Sequence, residues 1–127
     1  MASKRVLVVD DHEDSLDFAR EVLHQHFDVA VALGGAEALK LLQEERFDAL
    51  LLDLTMPVVD GFDVMSFVTE HQPDLPVLIA SALPNVEKIA AQLGAKDWVT
   101  KPYRAELLPQ RLWRLCGTPG TTVRAPG

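Results

Sequence analysis

At 127 residues the chain has the size of one domain with a sizeable core, and its 48% apolar and 24% charged residues exclude the composition of a disordered segment. Twelve Lys and Arg against nineteen Asp and Glu give a net charge of −7, which argues against strong nucleic-acid binding by this domain, because phosphate contacts need a basic face. The apolar runs are too short for a membrane span or a signal-peptide core, so a cytoplasmic protein is expected, and the lone Cys116 excludes an internal disulfide and any multi-cysteine metal motif.

The first apolar run, "RVLVV" (5–9), stops at Asp10 and Asp11. Leu16, Ala19, Leu23 and Phe27 then recur at helical spacing, and "DVAVAL" (28–33) reads as a second strand ending at Gly34–Gly35, a strand-to-helix turn. After the helical "GGAEALKLLQEE" comes "DALLL" (48–52), which runs into Asp53. Asp60 is suited to cap the following helix, "GFDVMSFVTEH", and Gly61 to relieve a tight backbone. "PVLIAS" (76–81) ends at Ser81; Val86, Ile89, Ala90 and Leu93 form a helical stripe; "DWVT" (97–100) leads to Lys101. Leu107, Leu108, Leu112 and Leu115 make the last stripe, on a helix expected to begin near 104–106 because Pro109 is tolerated only in a first turn. Residues 1–116 therefore read as the folded domain, and 117–127, rich in Gly, Pro and Thr, as a flexible tail or linker.

Five βα units in alternation predict an α/β fold with a parallel sheet covered on both faces. They are too few to close an eight-stranded barrel, so an open doubly wound sheet is expected, with right-handed crossovers. In such sheets ligands bind beyond the carboxyl ends of the strands. Those ends carry Asp10, Asp11, Asp53, Ser81 and Lys101, and the order 2-1-3-4-5 brings the three acids together. Three adjacent carboxylates repel unless protons or a cation intervene. A hard divalent ion with an ammonium and a hydroxyl beside one carboxylate describes a phosphoryl-transfer site, with Asp53 as a candidate nucleophile.

Together "VLVVDDHEDS", "LLLDLTMPVVDG", "LIASA" and "WVTKPY" resemble the receiver domain of two-component response regulators, the CheY-like family, over about residues 4–116. The resemblance implies a (βα)5 flavodoxin-like fold of strand order 2-1-3-4-5 and a phosphoacceptor rather than an enzyme turning over external substrates. Asp53 would take the phosphoryl group from a histidine kinase or phosphotransfer protein. Asp11 would ligate Mg2+ (or Mn2+) directly and Asp10 mainly through water, with Asp53 and the Thr55 carbonyl completing the protein ligands. Lys101 would pair with the phosphoryl oxygens, held by a cis bond before Pro102. Ser81 matches the switch hydroxyl and Trp98 the aromatic behind it, so that the fourth helix, fifth strand and fifth helix carry the message to an unknown downstream protein or attached effector, with a homodimer left open. Ser81 stands where Thr is more frequent, and Trp98 where Tyr or Phe is usual, its bulk bearing on the inward rotamer. Leu83 and the small Thr55 offer little to orient an attacking water, which implies slow or ordinary self-dephosphorylation.

Blander readings stand beside these. Ser81 would then only cap the next helix, Trp98 would be a packed edge residue, Trp113 a surface or interface residue, and His12 a loop residue. His24 and His26, two apart on a helix, are poor joint ligands. Among rival functions, a haloacid-dehalogenase-like phosphatase needs a second acid where Thr55 stands, and a flavodoxin-like FMN site needs a Ser/Thr/Gly loop where "DDHEDS" would repel phosphate. A pseudo-receiver serving as an interaction or dimerisation module is the remaining alternative, although such chains usually lack an acid or the Lys. The chain reads as a stand-alone receiver or as the receiver piece of a longer regulator or hybrid kinase.

Overall fold

A computed structural model of the chain describes residues 4–116, so the expected tail at 117–127 lies outside the described residues. The strands are β1 (Arg5–Asp10), β2 (Asp28–Leu33), β3 (Ala49–Asp53), β4 (Val77–Ser81) and β5 (Asp97–Thr100). They alternate with helices α1 (Glu13–Leu23), α2 (Gly35–Glu44), α3 (Gly61–His71), α4 (Val86–Leu93) and α5 (Leu108–Cys116). All strands are parallel, in the order β2-β1-β3-β4-β5. The open doubly wound sheet is thus as expected, with β2 at one edge and β1 beside β3 at the switch point.

Period-two alternation sorts the strand side chains between two layers. Val6, Val8, Ala49, Leu51, Leu78, Ala80 and Val99 pack with Leu16, Ala19 and Leu23 of α1 and Leu108 and Leu112 of α5. Leu7, Val9, Leu50, Leu52, Val77 and Ile79 pack with α2, α3 and α4 through Ala38, Leu42, Val64, Met65, Val68, Val86 and Ala90. The central strands are buried on both faces, which is why they read as unbroken apolar runs.

Three local details differ from the sequence reading. A 3-10 turn over Ala105–Leu107 precedes α5, so Pro109 sits in the first turn of the α-helix proper. That turn changes the helical phase and leaves Leu107 exposed, while Leu108 and Leu112 are buried. Trp113, read as a surface or interface residue, is half-buried: its ring lies 6.2 Å from that of Phe27 and edge-on to His26 at 4.9 Å, and its indole nitrogen is shut from solvent without a hydrogen-bond partner.

Other expectations hold. Asp60 and Asp63 form a capping box at the start of α3, each side chain accepting from the other's backbone N–H at 3.0 Å. Gly61 is required sterically, since a Cβ there would lie 2.5 Å from the Asp53 carbonyl oxygen and from the Leu54 Cα. The loop after β3 therefore folds tightly back onto the strand end, and Gly61 N–H donates to the Leu54 carbonyl at 2.9 Å. Burial pushes the Cys116 thiol up to about 11, which leaves it an inert thiol at neutral pH.

Candidate functional site

Asp10, Asp53 and Lys101 each continue the alternation of β1, β3 and β5 on the side that carries α1 and α5. Both aspartates are buried, at 4% exposure each, although they end greasy strands where an unpaired carboxylate is costly. The compensation comes from Lys101. Its Nζ donates to Asp10 Oδ2 at 2.9 Å and stands 3.3 Å from Asp53 Oδ2. Its backbone is fixed in turn, with N–H donating to the Ser81 carbonyl at 2.8 Å and a cis bond to Pro102, as the resemblance implied.

The loops supply the rest. Thr55 N–H donates to Asp53 Oδ1 at 3.2 Å, and His12 N–H to Asp10 Oδ1 at 3.0 Å. Asp11 is less buried, but its Oδ1 is shielded from solvent and accepts no hydrogen bond; the His12 Nδ1 lies 3.1 Å from it. Asp10, Asp11 and His12 are the one group among the described residues whose His, Cys, Asp or Glu ligand atoms gather closely enough, within 4.8 Å, to hold a metal ion.

Burial would raise the Asp10 carboxyl, but the hydrogen bond and charge of Lys101, helped by His12, hold it below the usual carboxylate range. Burial dominates at Asp53, and with the negative charge of Asp10 it holds that carboxyl above its ordinary value against the pull of Lys101. Burial opposes the Lys101 charge, yet the two carboxylates raise its pKa overall. Asp10 and Asp53 thus share one ammonium with Asp11 beside them, an arrangement short of positive charge.

Ser81 and Trp98 belong to the other layer, the one that carries α4. Ser81 is fully buried, one step beyond Ala80, the partner of Asp53 in the β3–β4 ladder. Its Oγ accepts from Leu83 N–H at 3.0 Å. The residue that caps α4 is Asn85, in left-handed conformation, so Ser81 does not cap that helix. Trp98 is half-buried against the α4 layer, and its carbonyl accepts from Arg111 Nη1 of α5 at 3.2 Å. A cavity of about 490 Å³ opens beside Lys101, lined by His12, Phe18, Ala82, Pro102 and Tyr103.

Sequence reasoning placed Asp10, Asp11, Asp53 and Lys101 together, and the structure brings them together. It missed His12, whose ring turns back toward both acids. The signal for it was a position before a helix, where Ser, Thr, Asp or Asn is favoured, filled by a residue that caps poorly.

A family model for the response regulator receiver domain matches residues 6–113. The transcriptional regulatory protein PrrA of Mycobacterium tuberculosis is 40% identical over 126 residues, 97% of this chain and 54% of PrrA, so the chain spans about half the length of that relative. Among solved structures, the receiver domain of the Francisella response regulator 1452 is similar with a TM-score of 0.82 at 30% identity, over 88% of this chain and 95% of that one. The response regulator TrrA of Thermotoga maritima, solved in complex with Mg2+ and a beryllium fluoride, gives a TM-score of 0.79 at 26% identity, over 88% and 98%.

Proposed function

Because this chain belongs to the family of response regulator receiver domains, we propose that Asp53 is its phosphoacceptor, that Lys101 and Ser81 assist the transfer, and that residues 1–116 act as the receiver unit. The observation that carries the assignment is the single ammonium of Lys101 reaching both Asp10 and Asp53 at the sheet's rim. In the transfer, an Asp53 carboxylate oxygen attacks the phosphorus of a phosphohistidine on a kinase or phosphotransfer protein. The phosphorus–nitrogen bond breaks, the histidine keeps the electron pair, and an acyl phosphate forms on Asp53. Lys101 is placed to leave Asp53 for the incoming phosphoryl oxygens.

The donor set fits the Mg2+ that the family implies. Asp11 presents a shielded oxygen with no hydrogen bond, beside two further carboxylates that outnumber the local positive charge. Asp11, Asp53 and the Thr55 carbonyl would hold Mg2+ or Mn2+ directly, and Asp10 through water; the ion supplies charge that offsets the phosphoryl oxygens. TrrA, with its Mg2+ and beryllium fluoride, supports the same ligand chemistry here.

Readout begins at Ser81. Its hydroxyl must leave Leu83 N–H to reach a phosphoryl oxygen, which alters the entry to α4, and Trp98 shares that layer. The surface of α4, β5 and α5 then passes the signal to a partner protein or an attached effector domain. The cytoplasm is the compartment proposed for this exchange with a kinase or phosphotransfer protein; among the described residues no helix is long and apolar enough to cross a membrane. A receiver without phosphorylation would have no need of the complete acid and lysine set.

The test is treatment with acetyl phosphate and Mg2+, followed by peptide mass spectrometry, with tryptophan fluorescence under beryllofluoride as a second readout. The phosphoryl mark is expected on the Asp53 peptide, with a fluorescence change in wild type and neither in Asp53→Asn. Identical responses from the two proteins would refute the assignment.

A further inference from the structure

His12 occupies the N-cap position of α1, yet its side chain makes no capping hydrogen bond. The ring instead folds back over the strand end. Its Nδ1 lies 3.2 Å from Asp10 Oδ1 and 3.1 Å from Asp11 Oδ1. Two ligands at right angles about an ion with bonds of about 2.1 Å are separated by about 3.0 Å, so the 3.1 Å to Asp11 Oδ1 matches an edge shared by neighbouring ligands of one ion. Asp11 Oδ1 has no hydrogen bond to surrender on accepting such an ion. Without an ion Nδ1 stands within hydrogen-bond distance of Asp10 Oδ1, and an ion would replace the proton there: with its proton on Nε2, the imidazole offers a lone pair at Nδ1.

Building on the metal reading above, we propose that His12 is a metal-selecting ligand: beside Asp11 it gives the site a nitrogen donor that favours borderline ions such as Ni2+ over Mg2+. Mg2+ is held by oxygen donors and gains little from imidazole. Ni2+ bonds imidazole well and stands far above Mn2+ in the general affinity order of divalent ions. His12 therefore separates the two classes of ion while leaving the oxygen set intact. Its ring is 70% exposed on the solvent side, so replacing it removes a ligand without opening the core.

The test is calorimetric titration of the full chain, free of any affinity tag, with NiCl2 and separately with MgCl2, for wild type, His12→Ala and His12→Gln. Wild type is expected to bind one Ni2+ more tightly than Mg2+, with excess Mg2+ displacing it. His12→Ala should weaken Ni2+ by about tenfold or more and Mg2+ by less than about twofold, as expected for loss of one donor to the softer ion. His12→Gln, which keeps bulk but lacks the imidazole, should behave as His12→Ala. Two results overturn the proposal: a Ni2+ to Mg2+ affinity ratio that His12→Ala leaves unmoved, or Ni2+ that Mg2+ cannot displace and that is therefore held elsewhere. Those results leave the Mg2+ site standing. A wild type that binds neither ion defeats the metal reading and this one with it.

Discussion

Asp10 and Asp53 share one ammonium, yet their carboxyls move in opposite directions. For Asp10 burial is outweighed by Lys101, so the folded pKa lies below its ordinary value of 3.8; the associated stability is present above that pH and is lost as acid protonates the group. For Asp53 burial and the neighbouring Asp10 charge win, so the folded pKa is raised; its contribution is present below 3.8 and is lost as pH rises through the folded value. At neutral pH the ionised Asp53 is therefore a burden on the unliganded fold. Asp53→Asn removes the charge and keeps an oxygen to accept from Thr55 N–H. In Mg2+-free buffer at pH 7 that variant should melt a few degrees above wild type, an advantage that shrinks as pH falls towards 4. Thermal melts in both buffers decide it; a variant no more stable than wild type at pH 7 would contradict the electrostatic account.

The β3–α3 loop is the element under most backbone strain. Val58 has φ of 65°, a left-handed conformation that a β-branched side chain adopts at a cost of about 1–2 kcal/mol, and it is fully exposed, so no burial offsets that cost. Val58→Gly relieves the clash but loosens the unfolded chain, for a net stabilisation of about 0.5–1 kcal/mol. Denaturant melts should show a higher midpoint at unchanged slope. No sequence signal announced this conformation, since Val is a poor residue for it; it follows from the distance the loop must double back between Asp53 and Gly61. By contrast β2 and β5 were legible to the residue, and the convergence of Asp10, Asp53 and Lys101 was written in period-two alternation with Val8, Leu51 and Val99. The sequence reading ended β1 and β3 one residue early because each closes on an acid, although Asp10 and Asp53 are paired with Leu33 and Ala80 in the ladders. The 3-10 turn before α5 was hidden for a different reason: four leucines fit a helical stripe whether or not its first residue is in phase.

Across the whole molecule, charge gathers at both ends of the sheet. At the end opposite the site Arg5 pairs with Asp28 at 3.0 Å and Glu45 at 2.8 Å, lies 4.9 Å above the Phe47 ring, and donates its backbone N–H to Asp48 at 2.7 Å. Five residue steps along β1 separate Arg5 from Asp10, a span of roughly 16 Å, and their groups share no partner. Effects at the two ends should therefore add. Arg5→Ala, which loses part-exposed ion pairs and a cation–π contact, should cost about 1 kcal/mol. Mg2+ bound only by the folded state stabilises it by about 2.7 kcal/mol at a hundred times its dissociation constant. Arg5→Ala should show that Mg2+-induced rise in melting temperature undiminished on a lowered baseline. Asp53→Asn should start higher and gain less, because it has already removed one of the repelling charges and one of the proposed ligands. Melts of the two single variants and the double variant with and without Mg2+ separate these outcomes. A Mg2+ response that falls in Arg5→Ala would mean that the sheet couples its two ends, and that the site's repulsion is felt through the strands rather than confined to the rim.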